Sequence, residues 1–272
     1  MSADRKAIPY WHVDAFASSA FGGNQAAVMV LDQWLPDETL VKIGGENLFA
    51  ETAFLVRDET GEADWELRWC TPTVEVVLCG HATLASGHVL LDPANGFGAS
   101  DSVTFRTRQS GVLEVRRAGE GLELALPALP SERSSHAELL DVLGASGEVF
   151  ECVIPEQETV IVLYENEAQV RALKPDFARL KDINLMVIAT APGDKADIVS
   201  RVFVSAYGID EDSVTGSAHA ALTPFWAEQF GRSSFTAHQA SERGGDLNCR
   251  LESDKVWLGG PCVTVVQGEF YL

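Results

Sequence analysis

The sequence predicts an α+β fold of two related halves, each a curled, barrel-like sheet wrapped around one buried helix. Three observations predict it. Two segments open a helix in the same way, Cys79-Gly80-His81-Ala82-Thr83-Leu84-Ala85 and Thr215-Gly216-Ser217-Ala218-His219-Ala220-Ala221, with their glycines 136 positions apart. Further pairs follow in the same order at nearly that offset: Pro36-Asp37 with Pro175-Asp176, Asn47-Leu48 with Asn184-Leu185, and Gly111, Leu113, Arg116 and Pro127 with Gly245, Leu247, Arg250 and Pro261. Small insertions and deletions account for the drift, and so long a period indicates a duplicated domain rather than a solenoid. Finally, Ala82, Leu84, Ala85, Val89 and Leu90 leave the first helix almost no polar face, and Ala218, Ala220, Ala221, Leu222 and Phe225 do the same for the second. A helix that is apolar nearly all round is buried.

The elements follow in order. Segments 12–16 and 26–31 read as strands around a Gly22-Gly23-Asn24 turn. Pro36 to Gly44 reads as a short helix, with proline at its start and Asp37 and Glu38 in its first turn. Strands are expected at 51–56, 65–69 and 74–78, then the glycine-started helix at about 80–91, then a meander at 103–107, 111–116 and 122–126. Pro127 to Glu132 is the best linker. The order then repeats: strand 159–164, helix 175–181, strands 185–190 and 198–204, helix 216–230, and strands 247–251, 255–258 and 262–267. Pro224 falls inside the second long helix, where a kink is expected. The halves are set at 1–127 and 128–272, with terminal strands free to cross between them.

Composition bounds the function. The 272 residues, 46% hydrophobic and 8% aromatic, make a globular chain of two ordinary domains. A formal charge of −20 argues against nucleic acid or an anionic membrane as partner. It leaves room for a small anionic metabolite, because a helix N-terminus attracts anions locally. Five cysteines with no C-x-x-C indicate neither a disulfide framework nor a zinc ribbon. Residues 1–10 lack a signal-peptide core and no run is long enough to span a membrane, so a soluble, cytoplasmic protein is expected.

Chemistry has few candidates. Glu51 stands at the mouth of the apolar strand Thr52-Ala53-Phe54-Leu55-Val56, either solvated or half-buried and suited to proton transfer. His81 lies in the first turn of its helix and, on spacing alone, reads first as a packing residue. Asp212 sits among Asp210, Glu211 and Asp212 before the second helix, and the spacing does not say which carboxylate points inward. Gly80, Gly216 and Ser217 could bind an anion through helix N-termini and a hydroxyl. Cys79 and His81 show no further ligand at metal spacing. Thr215 to His219 is not a nucleophile elbow. Without metal or cofactor signals, side-chain acid–base chemistry remains.

Four segments carry a family resemblance: Asn-Leu-Phe-Ala-Glu-Thr-Ala-Phe at 47–54, the stretch 67–85 with Leu-Arg-Trp-Cys-Thr-Pro and Leu-Cys-Gly-His-Ala-Thr-Leu-Ala, residues 211–218, and Gln-Ala-Ser-Glu-Arg-Gly-Gly at 239–245. Together they resemble the phenazine-biosynthesis PhzF-like family of isomerases. That resemblance implies a diaminopimelate epimerase-like fold with the active site between the two halves, no cofactor and a homodimer. In the family's namesake, a glutamate moves a proton along the ring of trans-2,3-dihydro-3-hydroxyanthranilate. By motif, Glu51 corresponds to that glutamate, and His81, Asp212 and Ser217 to the family's histidine, aspartate and serine. One departure is visible. Ser213 replaces the usual proline before Val-Thr-Gly, which predicts a less rigid loop around Asp212.

The epimerase relatives of the fold use two opposed cysteines. Cys79 falls at the first position, but Thr215 occupies the second, which disfavours a two-thiol racemase. The alternative to an isomerase is a binding or regulatory protein that kept the fold without turnover. A metal-dependent hydrolase is a more distant third.

Overall fold

A computed structural model describes residues 6–98, 100–119, 121–154 and 157–272. The first half of the polar N-terminal stretch, 1–5, lies outside the described residues. The chain divides into two compact units, Met1–Ala125 with Gly259–Leu272, and Leu126–Leu258.

The first unit contains β1 (Ala7–Ala15), β2 (Asn24–Val30), α1 (Asp37–Asn47), β3 (Glu51–Arg57), β4 (Trp65–Cys70), β5 (Glu75–Val76), α2 (Gly80–Leu91), β6 (Ser102–Arg106), β7 (Val112–Ala118) and β8 (Gly121–Pro127). The second contains β9 (Ser131–Ser134), α3 (Ala137–Leu143), β10 (Glu148–Ile154), β11 (Gln157–Leu163), α4 (Glu167–Ala172), α5 (Phe177–Leu180), β12 (Met186–Pro192), β13 (Ile198–Phe203), β14 (Glu211–Asp212), α6 (Gly216–Phe230), β15 (Ser234–Gln239), β16 (Gly245–Glu252) and β17 (Lys255–Gly260). The last strand, β18 (Cys262–Tyr271), pairs antiparallel with β1 from Ala7↔Tyr271 to Ala15↔Cys262, which is why it belongs to the first unit.

The duplication is written in the strand pairings. In the first unit β1 is antiparallel to β2, β2 parallel to β3, β3 antiparallel to β4, β4 antiparallel to β5 and parallel to β6, and β6 antiparallel to β7. Strands β10 to β16 repeat those relations in the same order. The long helix fills the same slot in each unit, after the two-residue strand. The helix after the second strand differs: α1 in one unit is replaced by the short α4 and α5 in the other. Asn166 and Asp176 cap these two by accepting from Gln169 N and Arg179 N.

Helix α2 touches β1, β2, β3, β6, β7 and β18, so the sheet curls around it. Leu84 and Val89 are fully buried, each stabilising the unit by about 2 kcal/mol. Gly87 shows how close the helix comes: a Cβ there would lie 2.3 Å from Val115 Cγ1 on β7. Outside the first sheet, Leu40 and Ile43 of α1 pack with Ile8, Met29 and Phe54. In the second unit, α3, α4 and α5 cover the sheet through Leu139, Val142, Val170 and Leu180, packed with Val160, Val187 and Phe203.

The expected kink site is accommodated by the connector. Pro224 has no N–H to offer Ala220 O, and Leu129 N donates to that carbonyl at 3.3 Å. Segment 127–132, read as a linker, is therefore docked, and β9 begins within it. Among the described residues no helix is long and apolar enough to cross a membrane.

Candidate functional site

Parallel pairing of β2 and β3 places Ala26 opposite Glu51, so Glu51 opens β3 beside the start of β2 at Asn24. The chain entering each strand is held in an unusual backbone. Before β2, Phe16 and Phe21 have φ of 58° and 76°. Buried Asp14 accepts from Phe21 N at 2.9 Å, and Gly23 sits at φ +61°, where a Cβ would come within 2.1 Å of Ala15 O. Before β3, Leu48 ends α1 in the left-handed region, and Asn47 Nδ2 donates to Thr52 Oγ1 at 2.9 Å. Strain of this kind accumulates where geometry matters more than stability.

Helix α2 supplies the rest. Cys79 is its extended N-cap and makes no side-chain capping bond; Gly80 and His81 follow. His81 is 4% exposed. Its Nε2 lies 3.3 Å from Glu51 Oε2, and its Nδ1 lies 3.2 Å from Asn24 Nδ2. The Nε2 contact is close without being a linear hydrogen bond, which is common before a ligand tightens a site. Cys79 Sγ is 3.6 Å from Nδ1 and 3.9 Å from Nε2. One ligand atom each from Glu51, Cys79 and His81 lies within 4.8 Å of the others. The sequence offered Cys79 and His81 no third ligand because Glu51 arrives through strand register, not spacing. The donor set would accept a zinc-like ion. A cation there would, however, face the positive end of α2, whereas an anionic substrate would be attracted.

The second unit holds the other expected residues, and the three adjacent carboxylates separate by partner. Asp210 accepts from Ser205 Oγ at 3.2 Å. Glu211 receives the fork of Arg201 at 2.8 and 2.7 Å. Asp212 accepts from Thr215 Oγ1 at 2.6 Å and from Ser213 N at 2.8 Å. The fully buried Gln239 accepts from Thr215 N and donates to Asp212 O, both at 2.8 Å, while Ser241 Oγ donates to Ser213 O at 2.7 Å. The N–H that Ser213 adds to this loop is used on Asp212, a bond proline cannot make. Gly216 is buried at the start of α6, and Ser217 is the half-buried residue of that first turn.

A duplicated clamp escaped the sequence. Arg68 Nε donates to Glu75 Oε1 at 2.8 Å and its Nη2 to Glu75 Oε2 at 2.5 Å, as Arg201 does to Glu211. Each pair ties the third-last residue of a six-residue strand to the short strand leading into the glycine-started helix. Cys70 pairs with Thr52 and Glu75, and Phe203 with Val187 and Glu211, so the two arginines are equivalent. The same register sets Met186, 1% exposed, where the first unit has Glu51. The Glu51–His81 pair therefore exists in the first unit and has no chemical counterpart at the matching positions of the second.

His219 on α6 is fully buried, with Nδ1 2.8 Å from Thr215 O. Burial pushes its imidazole down from 6.5 to about 4, against the opposing pull of the Thr215 carbonyl. Between those values the unfolded chain binds a proton that the folded one refuses, so stability falls as pH drops from 6.5 towards 4. The expected loss is roughly 3 kcal/mol. Urea unfolding at pH 7 and 4.5 should show His219→Asn flattening this slope; an unchanged slope would remove His219 as its source.

The chain matches the family model described as phenazine biosynthesis-like protein over residues 13–268. It is 46% identical to an uncharacterized isomerase of Pseudomonas aeruginosa, covering 97% of this chain and 99% of that one. A crystal structure of a PhzF family protein from Enterococcus faecalis superposes with a TM-score of 0.89 at 38% identity, covering 98% of this chain and 100% of that one. A hydroxyproline epimerase from Agrobacterium vitis shares the fold alone, with a TM-score of 0.65 at 10% identity over 98% of this chain and 93% of its own. The α+β architecture of two like units is thus the diaminopimelate epimerase-like fold, and the chain belongs to the PhzF-like family of isomerases.

Proposed function

We propose that this protein is a cofactor-independent isomerase that moves a proton along a small, carboxylate-bearing ring of the dihydroanthranilate type. Glu51 takes the proton from one ring carbon. The C–H electron pair shifts through the adjoining double bond, and Glu51 returns the proton to another carbon on the same face. Nothing is oxidised, and substrate and product are isomers. His81 supports the carboxylate from its 3.3 Å position. Gly80 at the start of α2 binds the substrate's anionic group through the helix N-terminus, and Gly216 with the Ser217 hydroxyl offers an anion site of the same kind at the start of α6. Asp212 takes part through Thr215, whose hydroxyl it orients at the start of α6.

The observation that carries this reading is the one-sidedness of the acid–base pair. A two-base epimerase needs two proton carriers. Here Thr215 is engaged by Asp212, and Met186 stands at the register position of Glu51. One carboxylate must then remove and replace the proton.

The test is proton NMR of trans-2,3-dihydro-3-hydroxyanthranilate incubated with the enzyme in heavy water. An isomerised ring is expected. Measurable binding with neither isomerisation nor exchange would replace this reading with that of a binding protein.

A further inference from the structure

We infer that Asn24 is a positioning residue that fixes the tautomer of His81 and thereby keeps the migrating proton on Glu51. This rests on the proposed proton transfer but is read from separate atoms. His81 is held between two side chains, Asn24 at Nδ1 and Glu51 at Nε2. An amide nitrogen only donates hydrogen bonds, so Nδ1, which faces the Asn24 amide, must be bare and the ring proton must sit on Nε2. A neutral ring protonated at Nε2 has a bare Nδ1, which needs a donor. The Asn24 amide nitrogen at 3.2 Å supplies it, with the weaker Cys79 thiol at 3.6 Å on the same atom.

The consequence reaches the reaction. With Nε2 already protonated, His81 has no lone pair towards Glu51. A proton taken from substrate cannot pass to the ring and from there to water. It stays on the glutamate until the second carbon receives it. Asn24 is placed for this by its position at the first residue of β2, directly after the strained turn through Phe21 and Gly23. Nothing in the residue letters marks it, since Gly-Gly-Asn reads as a turn.

The test is nitrogen-15 NMR of histidine-labelled protein. The His81 signals are assigned among the six histidines by their loss in His81→Asn. Wild type should show a bare Nδ1 and a protonated Nε2 at neutral pH. Asn24→Asp offers Nδ1 a carboxylate, which accepts only, so the proton should move to Nδ1. Asn24→Ala should give a mixture of tautomers. In heavy water the Asn24→Asp product should carry at least about threefold more solvent deuterium than the wild-type product, and the substrate's dissociation constant should change less than threefold. A protonated Nδ1 in wild type, or an unchanged His81 tautomer in folded Asn24→Asp and Asn24→Ala, overturns the inference. The tautomer is read without turnover, so failure of the proposed reaction would leave this result intact and separately legible.

Discussion

Glu51→Gln should lower the isomerisation rate by about 10²- to 10⁴-fold, the contribution of a positioned acid–base group. The substitution keeps size and shape, and the side chain is 19% exposed, so the amide can still find water on one side. It can also keep the 3.3 Å approach to His81 Nε2 with its carbonyl oxygen on that side. What it cannot do is hold a proton. Thermal melting should therefore stay close to wild type while product formation, followed by NMR, collapses. A Glu51→Gln enzyme within tenfold of wild type would remove the carboxylate from the mechanism and shift attention to Cys79, whose sulfur lies in the same cluster.

Arg68→Leu should cost about 3 kcal/mol of stability, near the lower end for breaking a buried ion pair by deleting one partner. The Arg68 side chain is 4% exposed, and it binds Glu75 with its fork and Asp37 at 2.8 Å. Removing it strands the Glu75 carboxylate, which is about a quarter exposed, against a leucine. Arg108, 3.1 Å from Glu75, softens the loss. Adding Glu75→Leu should recover more than half of it, because replacing both members of a pair removes the stranded charge. Urea unfolding of the single and double variants measures both values. A single variant within 1 kcal/mol of wild type would show that Arg108 alone neutralises this corner.

These two residues also mark what could and could not be read from the letters. The glycine-started helices were legible because burial on all sides demands mostly small and apolar residues, as from Gly80 to Ala85 and from Ala218 to Leu222. The duplication was legible because turns and helix starts keep their residue types. Glu51 and His81 were reached one by one through the resemblance, but their meeting with Asn24 was not legible, because three separate elements come together there through the parallel register of β2 and β3. The arginine clamps were hidden for a related reason: Arg68 and Arg201 match at an offset of 133, not the 136 of the helix starts, because the loops between differ in length. Helix α4 was missed because six residues carry too little periodicity, and packing of Val170 against the sheet sustains it. Glutamine 239 and Ser241 stood in the motif without a role until the loop they brace was visible.

The pairing of β1 with β18 has a consequence for the order of assembly. The sheet of the first unit needs residues as far along as Tyr271, so its closure awaits nearly the whole chain. The second unit is one continuous run, Leu126–Leu258. During synthesis, then, the half encoded later is the one that can finish first, and the half that carries Glu51 is completed last.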